Sequence, residues 1–187
     1  MDMAHGAKVW TRADVLELPD DGNRYELVDG ELLVTPSPSA PHQRAVGELF
    51  RILDPYVRAH GLGHVSFSPA DLDLRAGQLV QPDLFVGGAP GGPPPLEWDE
   101  FGVPILVVEV LSPSTARYDR ITKRRRYQRS GVDRYWIVDL DARLVEVWTP
   151  DGERPTVVDD RLVWRPDPAV PALAIDVPAY FREVWGS

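Results

Sequence analysis

The stretch Ile105-Leu106-Val107-Val108-Glu109-Val110-Leu111 constrains this chain more than any other. Apart from Glu109 it is apolar without alternation, the pattern of a strand covered on both faces, so it belongs in the middle of a sheet with a layer on either side. It is also far too short to span a bilayer, which takes about 20 apolar residues. Glu109 is the anomaly. Burying an unpaired carboxylate costs several kcal/mol, so a glutamate here implies a partner: a metal ion, a cationic side chain or a proton. The alternative places Glu109 near a strand end, solvated or ion-paired.

The rest of the chain supplies the layers. Thr11 and Asp14 form a capping-box pattern that opens a short helix over residues 12–18. Two strand-like runs, residues 25–28 and 31–34, flank Asp29-Gly30, a two-residue turn whose positive φ angles suit a hairpin. Ala45, Val46, Leu49, Phe50, Leu53, Tyr56 and Val57 recur at helical spacing, with Gly61 as the stop. Strands are expected at 64–68, 70–75 and 79–86, the last two joined by Ala76-Gly77-Gln78. Residues 87–104 hold five Gly and five Pro, too many breakers for an element interior, so this stretch reads as an excursion loop. A helix over 116–130, capped by Ser112-Pro113-Ser114-Thr115 and ended by Gly131, follows the Glu109 strand. Strands at 134–140, 144–148, 156–158 and 162–164 come next, and a last helix runs from Pro178 to Trp185. At 187 residues and 43% hydrophobic, the chain suits one domain with a core at about 11–184. The order of elements gives an α/β (α+β) fold: a mixed β-sheet flanked by helices.

Asp83 follows Pro82 within an expected strand, where proline marks an edge or a bulge that re-aims a side chain. There it either stands beside Glu109 or sits exposed in a Pro-Asp turn. Two neighbouring carboxylates repel, and a hard cation such as Mg²⁺ relieves that repulsion with oxygen ligands and retained waters. Lys123, in the following helix, either reaches back over the sheet end to orient water and offset charge on a phosphate, or pairs with Asp119 one turn earlier. Tyr127 continues that helix row, towards core or substrate. Glu26 in the first hairpin either adds a third carboxylate or pairs across the strands. Gln81, two residues before Asp83, shares its strand face and suits a hydrogen bond to water. His42, near the start of the long helix, faces a site or only caps.

Charge bears on partners. Lys and Arg number 20 against 29 Asp and Glu, a net of −9, which disfavours indiscriminate coating of nucleic acid or anionic membrane. Yet residues 117–129 carry Arg117, Arg120, Lys123, Arg124, Arg125, Arg126 and Arg129 against Asp119 alone, a local +6 that leaves −15 elsewhere. A basic helix beside paired carboxylates suits a phosphodiester backbone, although charge runs are more often a solubilising face. Cysteine is absent, excluding disulfides, thiolate zinc sites and cysteine nucleophiles, and no secretory h-region opens the chain; a cytoplasmic setting is expected. There is no G-x-S-x-G, Walker loop or G-x-G-x-x-G after a strand.

Taken together, these residues resemble the PD-(D/E)xK, restriction-endonuclease-like superfamily: Pro82-Asp83 its PD half-motif, Glu109 its second acid, Glu26 the additional upstream acid. More narrowly, Tyr25-Glu26-Leu27-Val28-Asp29-Gly30-Glu31-Leu32, Gln81-Pro82-Asp83-Leu84, Val108-Glu109-Val110-Leu111-Ser112-Pro113-Ser114-Thr115, and Gly131-Val132 followed by Tyr135-Trp136-Ile137-Val138-Asp139 resemble the Uma-type branch. Its members are small bacterial proteins labelled "putative restriction endonucleases". One departure matters: Leu111 stands two residues after the glutamate, where the superfamily motif has lysine. The Uma-type pattern resembles a migrated arrangement in which Lys123 supplies that cation.

The resemblance implies a metal-dependent endonuclease acting on DNA. Asp83 and Glu109 are expected to hold Mg²⁺ or Mn²⁺ with Glu26 in support, Lys123 to position water, and Arg117, Arg120, Arg124 and Arg125 to contact the backbone. Gln81, Tyr127 and His42 are accessory candidates. The alternative is a nucleic-acid-binding or regulatory module without chemistry on the same fold. A homodimer suits cutting two strands, and no membrane partner is expected.

Overall fold

The structure is a computed structural model that describes residues 9–19, 21–28, 30–35, 37–74, 79–113 and 115–186. Helix α1 (Arg12–Leu16) starts with the expected capping box: the Thr11 side chain accepts from the Asp14 N–H, and the Asp14 carboxylate accepts from the Thr11 N–H. Strands β1 (Arg24–Val28) and β2 (Glu31–Thr35) pair antiparallel. Gly30 has φ +84°, the positive angle a tight hairpin requires; Asp29, its expected turn partner, lies outside the described residues. Helix α2 (Ala40–Ala59) is capped by Ser39 and buries Ala45, Val46, Leu49, Leu53 and Val57 along one stripe.

The central sheet runs β3 (His64–Phe67), β4 (Leu84–Gly87), β5 (Leu106–Val110), β6 (Arg134–Asp139), β7 (Leu144–Trp148) and β8 (Thr156–Val158), neighbours in chain order. Every pairing is antiparallel except β5 with β6, which are parallel and joined by a helical crossover. All five residues of β5 are buried, as its unbroken apolar run requires. Alternation along the strands sorts side chains between two layers. Leu84, Val86, Leu106, Val108, Val110, Trp136 and Val138 pack with α2 and the C-terminal helix α5 (Val177–Trp185). Phe85, Val107, Ile137 and Tyr135 pack on the other face with Leu72, Val80, Phe101 and Tyr127. Fully burying one such aliphatic side chain is worth about 1.5–3 kcal/mol, so this two-sided core fixes the strand register. Among the described residues no helix is long and apolar enough to cross a membrane.

Three expectations are corrected, and two of the corrections shape the site. No strand runs through the described part of 70–75 or through 79–86: Leu72 and Val80 form one isolated bridge, Leu79 bridges Leu27, and β4 begins only at Leu84. Pro82 has no N–H to give to a ladder, so the chain joins the central sheet just beyond it. The expected turn 76–78 lies outside the described residues. The expected single helix over 116–130 is α3 (Ala116–Tyr118), a π-helical turn (Asp119–Lys123) and α4 (Arg124–Arg129), ended at Gly131 with φ +85°. The third correction is peripheral: β9 (Arg161–Trp164) pairs with an additional strand, β10 (Leu173–Asp176), which leads into α5.

Candidate active site

The π turn follows β5 and carries Asp119 and Lys123 inwards, both buried. Such wide turns are rare and recur at functional sites, because they shift side chains out of ordinary helical register. Lys123 Nζ donates to Glu109 Oε1 at 2.9 Å, lies 3.0 Å from Glu26 Oε1 and 3.7 Å from Asp119 Oδ1. Tyr127, one turn further, donates its hydroxyl to the same Glu109 oxygen at 2.9 Å. Glu26 Oε1 also accepts the Gln81 backbone N–H at 2.8 Å, which ties the first hairpin to the segment before Asp83. One ammonium therefore faces carboxylates from three separate parts of the chain.

Asp83 stands at the point where the chain enters β4. Its Oδ2 accepts the Val110 N–H at 2.8 Å, beside Glu109 in sequence, and shares a hydrogen bond with His42 Nε2 at 3.1 Å. His42 Nδ1 is buried without a hydrogen-bond partner among the described residues. The Gln81 side-chain amide donates from Nε2 to Asp71 Oδ1 at 2.6 Å.

Burial dominates the electrostatics. The Glu109 carboxyl is raised well above its ordinary value by desolvation, with repulsion from Asp83, Asp119 and Glu26 adding to it and the Lys123 ammonium opposing it. Desolvation also raises Asp119, again against Lys123, with a Thr115 hydrogen bond lowering it. Tyr127 and Tyr135 are pushed up by burial and by the same carboxylates. Four carboxylates and one lysine leave an excess of negative charge that a further cation would offset.

A cleft of about 900 Å³ opens onto this cluster. Asp83, His42 and Gln81 line it, with Ser112, Thr115 and Arg120 from the start of the crossover. Glu109, Lys123 and Tyr127 are buried and do not line it. Arg120 is fixed by two acids, donating from Nε to Glu146 Oε1 at 2.7 Å and from Nη2 to Asp139 Oδ2 at 2.8 Å. Arg124 lies 4.5 Å from the Trp148 ring centroid and donates to Gln128 Oε1. Arg117 and Arg125 are exposed, whereas Arg126 is buried. The basic stretch is thus divided between internal braces and free surface, rather than forming one cationic face.

Among the described residues no three His, Cys, Asp or Glu side chains form a ready-made metal cage. Lys123 is what Glu26 faces, so Glu26 holds the lysine in this arrangement. Asp83 and Glu109 nevertheless fit Mg²⁺ by donor chemistry: hard oxygens, in a site with excess negative charge, for an ion usually held by only one or two carboxylates plus water and phosphate oxygens. Sequence reasoning missed Asp119 as a buried member of the cluster and left His42 undecided. The only signal for Asp119 was its spacing of four from Lys123, which equally describes a surface pair.

No curated protein matches the chain. Among solved structures, a crystal structure from Anabaena variabilis ATCC 29413, described as "a putative nuclease belonging to DUF820", is 21% identical with a TM-score of 0.69. The match covers 94% of this chain and 99% of that one, and it shows a shared fold. A family model described as "Uma2: Putative restriction endonuclease" matches residues 12–178. With that much of its length matched, the chain belongs to the Uma2 family.

Proposed function

We propose that this protein is a metal-dependent nuclease that hydrolyses DNA phosphodiester bonds at the Asp83–Glu109–Lys123 cluster. The observation that carries the reading is a buried group of acids gathered around one lysine, with Asp83 opening into the cleft. The family description and the structural neighbour's name agree with it.

Asp83 and Glu109 are the residues to hold Mg²⁺ or Mn²⁺, which would supply Lewis-acid stabilisation of a phosphate oxygen and a more acidic bound water. His42 and the Val110 N–H both engage Asp83 Oδ2, holding that carboxylate at the cleft wall. Lys123 holds a positive charge beside the reacting phosphate and orients the attacking water. In the reaction the water oxygen bonds to phosphorus, one phosphorus–oxygen ester bond breaks, and the departing oxygen takes up a proton. Glu26 and Tyr127 keep Lys123 and Glu109 in place.

The test is a cleavage assay on single-stranded, double-stranded and structured DNA with Mg²⁺ or Mn²⁺. Wild type is expected to cut at least one substrate and Asp83→Ala none. Equal behaviour of the two proteins on every substrate would refute the reading.

A further inference from the structure

We infer that the substrate of this site is a single DNA strand with its bases unstacked, rather than an intact duplex. The inference rests on the nuclease reading for the chemistry, but its evidence is the shape and charge of the cleft. The cluster lies deep: Asp83 is 3% exposed, and Glu109 and Lys123 are 1% exposed. A phosphate reaches Asp83 through a cleft of about 900 Å³. That is within the roughly 300–1,000 Å³ of sites that enclose small molecules, room for a strand to enter but not for a stacked double helix.

The wall charges agree. Proteins that grip duplex DNA do so through surfaces rich in positive charge, with many phosphates neutralised at once. Among the described residues, the basic groups lining the cleft are His42 and Arg120, set against Asp83, Asp139 and Asp141. Arg120 is itself already paired with Asp139 and Glu146. Single-strand sites add to backbone charge a second source of binding, base faces that stack on aromatic side chains whatever their sequence. Trp185, the last residue of α5, provides such a platform: it lines the cleft and remains 37% exposed. Pro38, Pro41 and Pro113 extend the apolar rim, and Asn23 offers an amide for a base edge.

The experiment measures binding separately from cleavage. Fluorescence anisotropy with Ca²⁺ compares a short labelled oligothymidylate with a duplex of the same length, using wild type, Trp185→Ala and Trp185→Phe. The single strand is expected to bind at least about tenfold more tightly than the duplex. Trp185→Ala is expected to weaken single-strand binding by about tenfold, with Trp185→Phe retaining most of it and duplex binding unchanged. Equal or tighter duplex binding, no binding of either, or an unaltered Trp185→Ala overturns the inference. A parallel cleavage assay separates the two readings. Strand preference without cleavage of any DNA refutes the nuclease function and leaves this inference standing, whereas cleavage that favours the duplex does the reverse.

Discussion

Lys123 Nζ lies 2.9 Å from Glu109 Oε1, and both side chains are 1% exposed. A lysine and a glutamate held this far from water depend on each other, because either alone is an uncompensated buried charge. Lys123→Met is therefore expected to destabilise the fold by about 3–5 kcal/mol, since Glu26, Glu109 and Asp119 lose their shared cation. Adding Glu109→Gln to that variant should recover part of the loss, as expected for residues in one network. Urea denaturation of the two single variants and the double variant measures the coupling; additive effects would show that the pair is not linked.

The excess of acids has a pH consequence. Glu109 and Asp119 are both raised above their ordinary values of 4.5 and 3.8, chiefly by desolvation. The folded protein therefore keeps protons on these groups at pH values where the unfolded chain has released them. Stability accordingly falls as pH rises from the ordinary carboxyl range through the raised values. Glu109→Gln should flatten that part of the stability profile, because the substituted side chain no longer titrates. An unchanged slope in the variant would contradict the assignment.

Metal binding at Asp83 and Glu109 should displace a proton from Glu109. Calorimetric titration with Mn²⁺ at several pH values above the ordinary carboxyl range, in buffers of different ionisation enthalpy, should give heats that vary with the buffer. Buffer-independent heats would mean that no raised carboxyl is involved.

His42 Nε2 lies 3.1 Å from the Asp83 oxygen that also accepts the Val110 N–H. Groups that orient a metal-binding carboxylate typically contribute about 10–100-fold to metal affinity. His42→Ala is expected to weaken Mn²⁺ binding by that factor while its thermal melt shows a folded protein. Unaltered affinity would reduce His42 to a packing residue at the start of α2.

Much of this arrangement was legible in the sequence where one physical signal dominated. The apolar run around Glu109 required a strand covered on both faces, and β5 is buried throughout at the centre of the sheet. The capping box at Thr11 and the helical stripe of α2 were equally direct, because local hydrogen bonding and periodicity leave few alternatives. Residues 79–86 misled because their apolar content suits a strand, while tertiary pairing with Leu27 and Leu72 divides that segment at Pro82. The π turn left no pattern to read, since a single widened turn alters register without altering composition. Arg120 and Arg124 illustrate another limit: a count of arginines does not tell which are already engaged by Asp139, Glu146 or Trp148. The Uma-type resemblance joined residues far apart in the chain, and Glu26, Glu109 and Lys123 do meet.

The central claim is that Asp83 and Glu109 together bind a divalent cation. Electron paramagnetic resonance titration of Mn²⁺ into wild type, Asp83→Asn and Glu109→Gln measures this directly, since free and protein-bound Mn²⁺ give different signals. Wild type is predicted to remove Mn²⁺ from the free signal at a saturable site that both substitutions abolish while the proteins remain folded. Saturable binding that survives both substitutions, or no binding by wild type, would contradict the account.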